Sequence, residues 1–265
     1  MTTLGAIFPP NLPPERLRPV ALAAEAAGLE QLWVWEDCFY ESGIAVATAV
    51  LAWTERLVVG IGLLPVPLRN VALTAMEIAT VDRLFPGRLV PGVGHGVLDW
   101  MGQVGVRAES PMTLLREYAT ALRALLHGET VSMDGRYVHL DSVALDWPPK
   151  TAPPLLIGAV REKTMALAGA VGDGVILSGD TTVESLRAAV PHVIAGRGDA
   201  HRHRRLEVVV FLVVEGDPIA ADVAAEVSAL AAAGATHVML HSGGGGPALE
   251  DFVRFVAEDV RRLVR

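Results

Sequence analysis

Short apolar runs alternate with longer amphipathic segments along most of the chain. Each run is long enough for a buried strand and too short for a helix. The segments between the runs carry apolar residues at helical spacing, and several of them end at glycine or proline. The pattern predicts strands at residues 4–8, 31–35, 57–61, 88–93, 155–157, 175–177, 206–214 and 237–241. It predicts the helices between them at residues 15–27, 44–54, 73–84, 162–170, 183–195, 219–233 and 247–264.

The alternation is suspended between strands four and five. Residues 97–106 read as a glycine-punctuated loop, residues 111–127 as a helix, and residues 130–140 as a hairpin that turns at Asp134-Gly135. No boundary in the sequence divides the eight strands. We therefore predict an α/β fold, a (β/α)8 TIM barrel formed by a single domain over residues 1–265, with the helix and hairpin as an excursion from it.

Length and composition agree with this prediction and exclude several other classes. The chain has 265 residues, and a β/α barrel typically needs about 250. The formal charge is −8 and no basic stripe is present, so a nucleic-acid partner is not expected. Residues 201–205 are predicted to form a basic surface turn. Cys38 is the only cysteine, which excludes an intrachain disulfide. The chain lacks an apolar run of membrane-spanning length, and we expect a cytoplasmic protein with no membrane partner.

Candidate chemistry lies at the carboxyl ends of the strands, where such barrels place their active sites. Strand three is predicted to end at Gly62, and residues 63–70, which contain Pro65 and Pro67, are predicted to project as a loop. The strand ends together offer mostly glycine, aromatic and apolar residues. They lack the clustered histidines and carboxylates of a metal site, and no lysine ends a strand. This composition suits a flat organic cofactor that brings its own reactivity.

Several segments in order along the chain resemble the bacterial luciferase-like monooxygenase superfamily. The residues that carry the resemblance are VGIGLLPVPLRN at 59–70, LFPGRLVPGVGHG at 84–96, residues 33–39, residues 126–140 and residues 154–159. The methylenetetrahydromethanopterin reductase-like branch, whose members use a deazaflavin, is the more similar one. The resemblance implies a luciferase-like barrel, and it covers most of the chain.

The resemblance also implies roles for individual residues. Members have a bulge with a non-prolyl cis peptide bond at the end of strand three, which here is the bond from Gly62 to Leu63, and it backs one face of the cofactor ring. Asp37 matches the acid that follows strand two, and His95 is a possible acid or base. The catalytic residues implied are thus Asp37 and His95, and the cofactor-binding residues implied are Cys38, Gly62, Leu63, Leu64, Gly94, Gly96, Gly158, Ala159, Val160, Ser178 and Gly179.

Other readings of these residues stay open. Cys38 stands where the family often has histidine, and a lone cysteine is commonly a small buried residue. Glu36 is either a chemical group or a helix-capping acid. The cofactor phosphate is expected beside strands five and six, at Ser178 and Gly179, while the glycines of 241–246 compete for it and otherwise form a mobile loop. Arg69, Arg161 and Lys163 are the candidate cations for an acidic coenzyme tail, and Trp100 and Gln103 form either a lid or ordinary buried structure.

The function that the resemblance implies is hydride transfer between the reduced deazaflavin coenzyme F-420 and a small organic substrate. Two alternatives remain, an FMN-dependent monooxygenase that uses reduced flavin and oxygen, and a non-catalytic flavin-binding barrel. Members are often dimers, and a homodimer through the apolar faces of 44–53 and 73–84 is expected. A separate flavin or deazaflavin reductase is a possible further partner. No metal is expected.

Overall fold

Eight parallel strands close into a barrel in the computed structural model of the chain, which describes residues 2–197 and 205–264. The barrel strands are β1 (Thr3–Ile7), β2 (Gln31–Val34), β3 (Val58–Pro65), β4 (Leu89–Gly94), β7 (Leu156–Gly158), β8 (Gly174–Leu177), β9 (Glu207–Val214) and β10 (His237–Ser242). Each strand pairs with its neighbours in chain order, and β1 closes the ring by pairing with both β2 and β10. The antiparallel strands β5 (Val131–Asp134) and β6 (His139–Val143) form the predicted hairpin outside it. The prediction of a barrel with an excursion is confirmed.

The helices follow the strands and cover the outside of the barrel. They are α1 (Leu17–Ala27), α2 (Gly43–Trp53), α3 (Val71–Leu84), α4 (Leu98–Gln103), α5 (Pro111–Leu126), α6 (Glu162–Val171), α7 (Val183–Arg197), α8 (Ala220–Ala232), α9 (Leu249–Arg254) and α10 (Arg261–Leu263). A π-helical stretch, Phe255–Val260, joins the last two. Among the described residues no helix combines the length and the hydropathy that crossing a membrane requires. Apart from Arg205, the basic turn predicted at 201–205 lies outside the described residues.

Two apolar layers hold the barrel together. The larger lies between the strands and the helices, and the smaller fills the interior of the barrel around Trp33, which is fully buried. Gly60 makes room for this indole, because a Cβ at Gly60 would lie 2.1 Å from Trp33 Cε2. All four residues of β2 and all four of β8 are buried, as expected of strands covered on both faces.

The end of β3 differs from the sequence prediction. The strand was expected to stop at Gly62, but it continues to Pro65 and pairs again with β4 after its register shifts between Ile61 and Leu64. A bulge at Gly62 and Leu63 absorbs the shift, and Pro65 is tolerated because it stands at the last position of the strand. The predicted cis peptide bond from Gly62 to Leu63 is confirmed. A second non-prolyl cis bond joins Cys38 to Phe39, and the sequence analysis did not anticipate it.

The segment 97–106 also differs from its prediction as a loop, because α4 lies within it. Met101 on this helix is fully buried, and the Val106 N–H donates to the Met101 carbonyl to close the turn that follows. The two glycines of this segment suggested a loop, but Gly105 has a positive φ and terminates the turn after the helix. Helix α4 consequently lies over the carboxyl ends of the strands.

Candidate active site

A large cavity of about 1010 Å³ opens at the carboxyl end of the barrel. Strand ends form its floor, and the starts of α4, α5 and α6 form its walls. The predicted site residues that line it are Asp37, Gly62, Leu63, His95, Gly96, Gly158, Ala159, Val160, Ser178 and Gly179. Residues that the sequence analysis did not assign to the site and that also line it include Trp35, Phe211, Met112, Ile176 and Val213.

Three predicted cofactor-binding residues do not line this cavity. Leu64 is buried, and a Cβ on Gly43 would lie 3.1 Å from its Cδ2, so its side chain packs toward the start of α2. Cys38 lies one residue beyond Asp37 and is partly buried outside the cavity wall. The position beside Gly94 that a side chain would take is already filled by Leu63.

Leu63 forms part of the cavity wall and rests on two glycines. A Cβ at Gly94 would lie 2.5 Å from Leu63 Cδ2, and a Cβ at Gly158 would lie 2.2 Å from the same atom. The sequence placed both glycines among the cofactor-binding residues. In the structure they leave the space that the Leu63 side chain occupies, since any side chain at either position would displace Leu63. The bulge in β3 and the ends of β4 and β7 thus form one unit.

Asp37 belongs to an aromatic cluster formed by Trp35 just after β2, Phe211 of β9 and His241 of β10. Trp35 Nε1 donates a hydrogen bond to Asp37 Oδ2 over 2.8 Å. The Trp35 ring stacks on Phe211 with centroids 6.0 Å apart, and the His241 ring meets Trp35 edge-on at 5.5 Å. Burial raises the pKa of the Asp37 carboxyl, and the hydrogen bond from Trp35 opposes this only in part. The second carboxylate oxygen of Asp37 stays available to a ligand.

Two histidines line the cavity in the neutral form. Burial lowers the pKa of His95 and of His241 below their ordinary value of 6.5, and Glu215 opposes the shift of His241. Nδ1 of His95 is buried and has no hydrogen-bond partner among the described residues, and a hydrogen bond of the ring with the Pro111 backbone opposes part of the shift in its pKa. Both rings can therefore exchange hydrogen bonds without adding positive charge.

Glu36, which lines the cavity beside Asp37, forms a nearly buried ion pair with Arg69, which does not line it. The guanidinium donates to both carboxylate oxygens, at 2.6 and 3.1 Å, and the backbone N–H of Gly43 donates to the same carboxylate at 2.9 Å. The backbone N–H of Glu36 donates to the Leu63 carbonyl over 3.2 Å. Glu36 thus caps the start of α2, which is one of the two roles predicted for it from the sequence. It also joins the loop that carries Asp37 to the bulge that carries Leu63.

Arg69 is not a cation of the cavity, which corrects one of the sequence interpretations. Its side chain is 14% exposed, does not line the cavity, and faces Glu77 as well as Glu36. The other two candidates, Arg161 and Lys163, do line the cavity at the start of α6, and both side chains are exposed. A helix start adds partial positive charge from its free N–H groups.

Negative groups stand at the two other places where a phosphate was considered. The Ser178 hydroxyl donates a short hydrogen bond to the Asp180 carboxylate. A Cβ on Gly243, in the glycine run after β10, would lie 2.2 Å from Glu215 Oε2, so a carboxylate occupies that side. An acid, Glu162, also lines the cavity at the start of α6, but its side chain is 78% exposed and lies 3.7 Å from His192. With Arg161 and Lys163 on either side of it, the start of α6 is the more favourable place for an anion. Trp100 of α4 lines the cavity, whereas Gln103 does not.

The residues that the sequence analysis missed differ in how they could have been found. Trp35 and His241 follow from the rule that strand ends carry the site, and His241 had been considered only as the start of a phosphate loop. Phe211 lies in the middle of β9, and only the closed barrel brings it beside Trp35. Met112 reaches the cavity from the start of α5, and no pattern in the sequence indicates this.

The chain is similar to known proteins over nearly its whole length. A family model described as luciferase-like monooxygenase matches residues 3–261. The 5,10-methylenetetrahydromethanopterin reductase of Methanolobus tindarius is 28% identical over 93% of this chain and 76% of its own. The F-420-dependent glucose-6-phosphate dehydrogenase of Mycolicibacterium fortuitum is 30% identical over 77% of this chain and 66% of its own. A second reductase, from Archaeoglobus fulgidus, is matched over 60% of its length, so the chain spans only part of several such relatives.

Solved structures share the fold at low sequence identity. An F-420-dependent secondary alcohol dehydrogenase in complex with an F-420–acetone adduct superposes with a TM-score of 0.87 at 18% identity, over 100% of this chain and 99% of that one. The oxygenating constituent of 3,6-diketocamphane monooxygenase from Pseudomonas putida, in complex with FMN, superposes with a TM-score of 0.80 at 13% identity, over 100% and 99%.

Proposed function

The chain belongs to the luciferase-like monooxygenase family, and we propose that it is an oxidoreductase that transfers hydride between coenzyme F-420 and a small organic substrate. The observation that carries the proposal is the division of the cavity into an apolar slot beside Leu63 and a cationic end at Arg161 and Lys163. A flat ring with an anionic tail matches both parts. The named functions of the curated relatives, which include F-420-dependent enzymes, support this choice over other flat cofactors.

The residues present fit such a coenzyme. A cavity of about 1010 Å³ lies at the upper end of the usual range for ligand sites, about 300–1,000 Å³, and has room for a tricyclic ring together with a small substrate. Leu63 offers an apolar surface for the ring, and its side chain fills the space beside Gly94 and Gly158. Ala159 and Val160 lead from β7 to α6 and would hold the chain between the ring and the tail, and Arg161 and Lys163 would hold its charges.

The deazaflavin, when bound, supplies a ring carbon that takes or gives hydride. The protein then has to orient the substrate, exclude water and move one proton. We assign the proton to Asp37, whose second oxygen would give it to a substrate carbonyl or take it from a hydroxyl while the first stays bound to Trp35. His95 and His241 also line the cavity and would help to orient the same substrate oxygen.

A direct test separates this function from the FMN-dependent monooxygenase. The purified protein is titrated with oxidised coenzyme F-420 and with FMN, and the ring absorbance and fluorescence report binding. Alcohols are then offered with the oxidised coenzyme, which would accept their hydride, and enones with the reduced coenzyme, which would donate it, both in the absence of oxygen. Hydride transfer under these conditions supports the proposal. Binding of FMN alone, with substrate turnover that requires reduced FMN and oxygen, supports the monooxygenase, for which the FMN-bound structure of the same fold is the argument. Tight binding without any turnover supports a non-catalytic barrel.

The proposal includes a cytoplasmic homodimer. A separate reductase would supply the reduced flavin or deazaflavin when the reaction consumes it. Helix α3 supports the dimer because Leu73, Met76 and Leu84 on it are 47%, 57% and 64% exposed. Such a patch is normally covered. Light scattering of the wild type and of Met76→Glu tests this part, and a wild-type monomer would contradict it.

A further inference from the structure

We propose that the aromatic end of the cavity accepts an uncharged substrate, an apolar body with one hydroxyl or carbonyl group, and rejects anions. This inference rests on the proposed function, because it assigns to the substrate the end of the cavity that the coenzyme tail does not use. The aromatic end is defined here by Trp35, Asp37, Phe211 and His241 together with Val213, which lies two residues beyond Phe211 on β9 and pairs with His241 in the register of β9 and β10.

Apolar surface is left open at this end. Val213 lines the cavity and is 38% exposed, and the Trp35 and Phe211 rings at the same end line it while only partly buried. Large apolar side chains that face a cavity gain from being covered, by about 25 cal/mol for each Å² removed from water. An apolar substrate body would cover them.

Positive charge is absent from this end among the residues that the structure describes. Arg161 and Lys163, the cations that line the cavity, both stand at the start of α6. Arg69, the nearest cation behind the aromatic cluster, is occupied by Glu36 and Glu77. A carboxylate or phosphate bound beside Trp35 would therefore lose its water without gaining a partner, and that cost is high for a charged group.

The polar groups at this end are suited to a neutral oxygen. Asp37 has one oxygen free, and it either carries a proton, which it can donate to a carbonyl, or is ionised, in which case it repels an anion. Burial lowers the pKa of His95 and His241, so both rings are neutral near pH 7 and supply no counter-charge. Either protonation state of Asp37 thus leads to the same preference.

The test compares two probes of similar shape and different charge, cyclohexanone and cyclohexanecarboxylate. Trp35 and Trp100 line the cavity, so the intrinsic fluorescence of the protein reports binding both before and after saturation with coenzyme F-420. We expect cyclohexanone to bind at least about tenfold more tightly, a difference of about 1.4 kcal/mol. Equal or tighter binding of the carboxylate overturns the inference, and so does a failure of cyclohexanone to bind up to its solubility limit.

A charge placed at the aromatic end locates the effect. Val213→Lys should raise the affinity for cyclohexanecarboxylate about tenfold, since it supplies the missing partner beside Phe211 and His241. Val213→Gln should leave the preference for cyclohexanone in place. Leu22→Lys is the matched control, because Leu22 is 43% exposed on α1 and does not line the cavity. An unchanged affinity for the carboxylate in Val213→Lys also contradicts the inference.

The outcomes separate this inference from the proposed function. If coenzyme F-420 does not bind but the free protein still prefers cyclohexanone, the proposed function fails and the inference stands. If the coenzyme binds and is reduced by an alcohol, but cyclohexanecarboxylate binds with the same affinity as cyclohexanone, the proposed function stands and the inference fails.

Discussion

The two ends of the cavity are built from different kinds of structure. At the aromatic end, β9, β10 and the segment just after β2 place partly buried rings and Asp37 within a network of direct contacts. At the cationic end, the loop from β7 to α6 places exposed groups near solvent, and Val160 there is 73% exposed. Rigid strand ends can hold reacting groups in one geometry, whereas an open helix start can accept the solvated tail of a large cofactor. We therefore expect substitutions at the aromatic end to lower the rate of hydride transfer, and substitutions at the cationic end to lower the affinity for the coenzyme.

Asp37→Asn should produce the largest effect and should confine it to the chemical step. Loss of the proton donor should lower the rate of hydride transfer by about 10²- to 10⁴-fold. The affinity for coenzyme F-420 should stay near that of the wild type, because the tail is held at the other end. Stopped-flow absorbance of the coenzyme gives the rate and titration gives the affinity. A rate within a few-fold of the wild type would remove Asp37 from the mechanism.

Arg69→Met should destabilise the protein and loosen the aromatic end. It leaves the Glu36 carboxylate, 8% exposed, without its cation, and breaking a buried pair costs about 3–5 kcal/mol. Urea unfolding measures the loss. Arg254→Met is the control, because its pair with Asp251 is exposed and should change stability by less than about 1 kcal/mol. Equal losses in the two variants would show that the Glu36 pair has no special role.

The double variant Arg161→Gln, Lys163→Gln should weaken the cationic end alone. Both side chains are exposed, so each should contribute up to about 1 kcal/mol, and the pair about tenfold in affinity for coenzyme F-420 at low salt. The loss should shrink as salt is added. Lys150→Gln, which lies away from the cavity, is the matched control. A loss of hydride-transfer rate at saturating coenzyme would contradict the separation of the two ends.

The pH dependence of stability gives a smaller test of the aromatic end. Burial lowers the pKa of His95 and His241 in the folded protein, so the unfolded chain binds more protons just below pH 6.5. Stability should therefore rise with pH through that window and fall on acidification. His95→Gln and His241→Gln should each flatten the slope. An unaltered slope in both cavity variants would contradict the assignment.

The sequence predicted the fold well because alternating strands and helices have strong periodic signals. It also located the bulge, since the resemblance to a known family covers Gly62 and Leu63. It failed where the outcome depends on contacts between distant segments. Arg69 appeared free for a ligand because its pairing with Glu36, 33 positions away, is a tertiary contact. The roles of Gly94 and Gly158 as the seat of Leu63 were likewise hidden until three strands were placed together.

One titration tests the central claim that Leu63, seated on glycines, forms the face of a slot for a flat coenzyme. Oxidised coenzyme F-420 is titrated into the wild type, Gly158→Ala and Gly244→Ala. A Cβ at Gly158 would lie 2.2 Å from Leu63 Cδ2, whereas nothing lies within 4 Å of one at Gly244. Crowding of this kind costs about 1–3 kcal/mol, and we predict micromolar or tighter binding by the wild type, weakened at least about fivefold in Gly158→Ala and unchanged in Gly244→Ala. Absence of binding by the wild type, or equal binding by all three proteins, would contradict the claim.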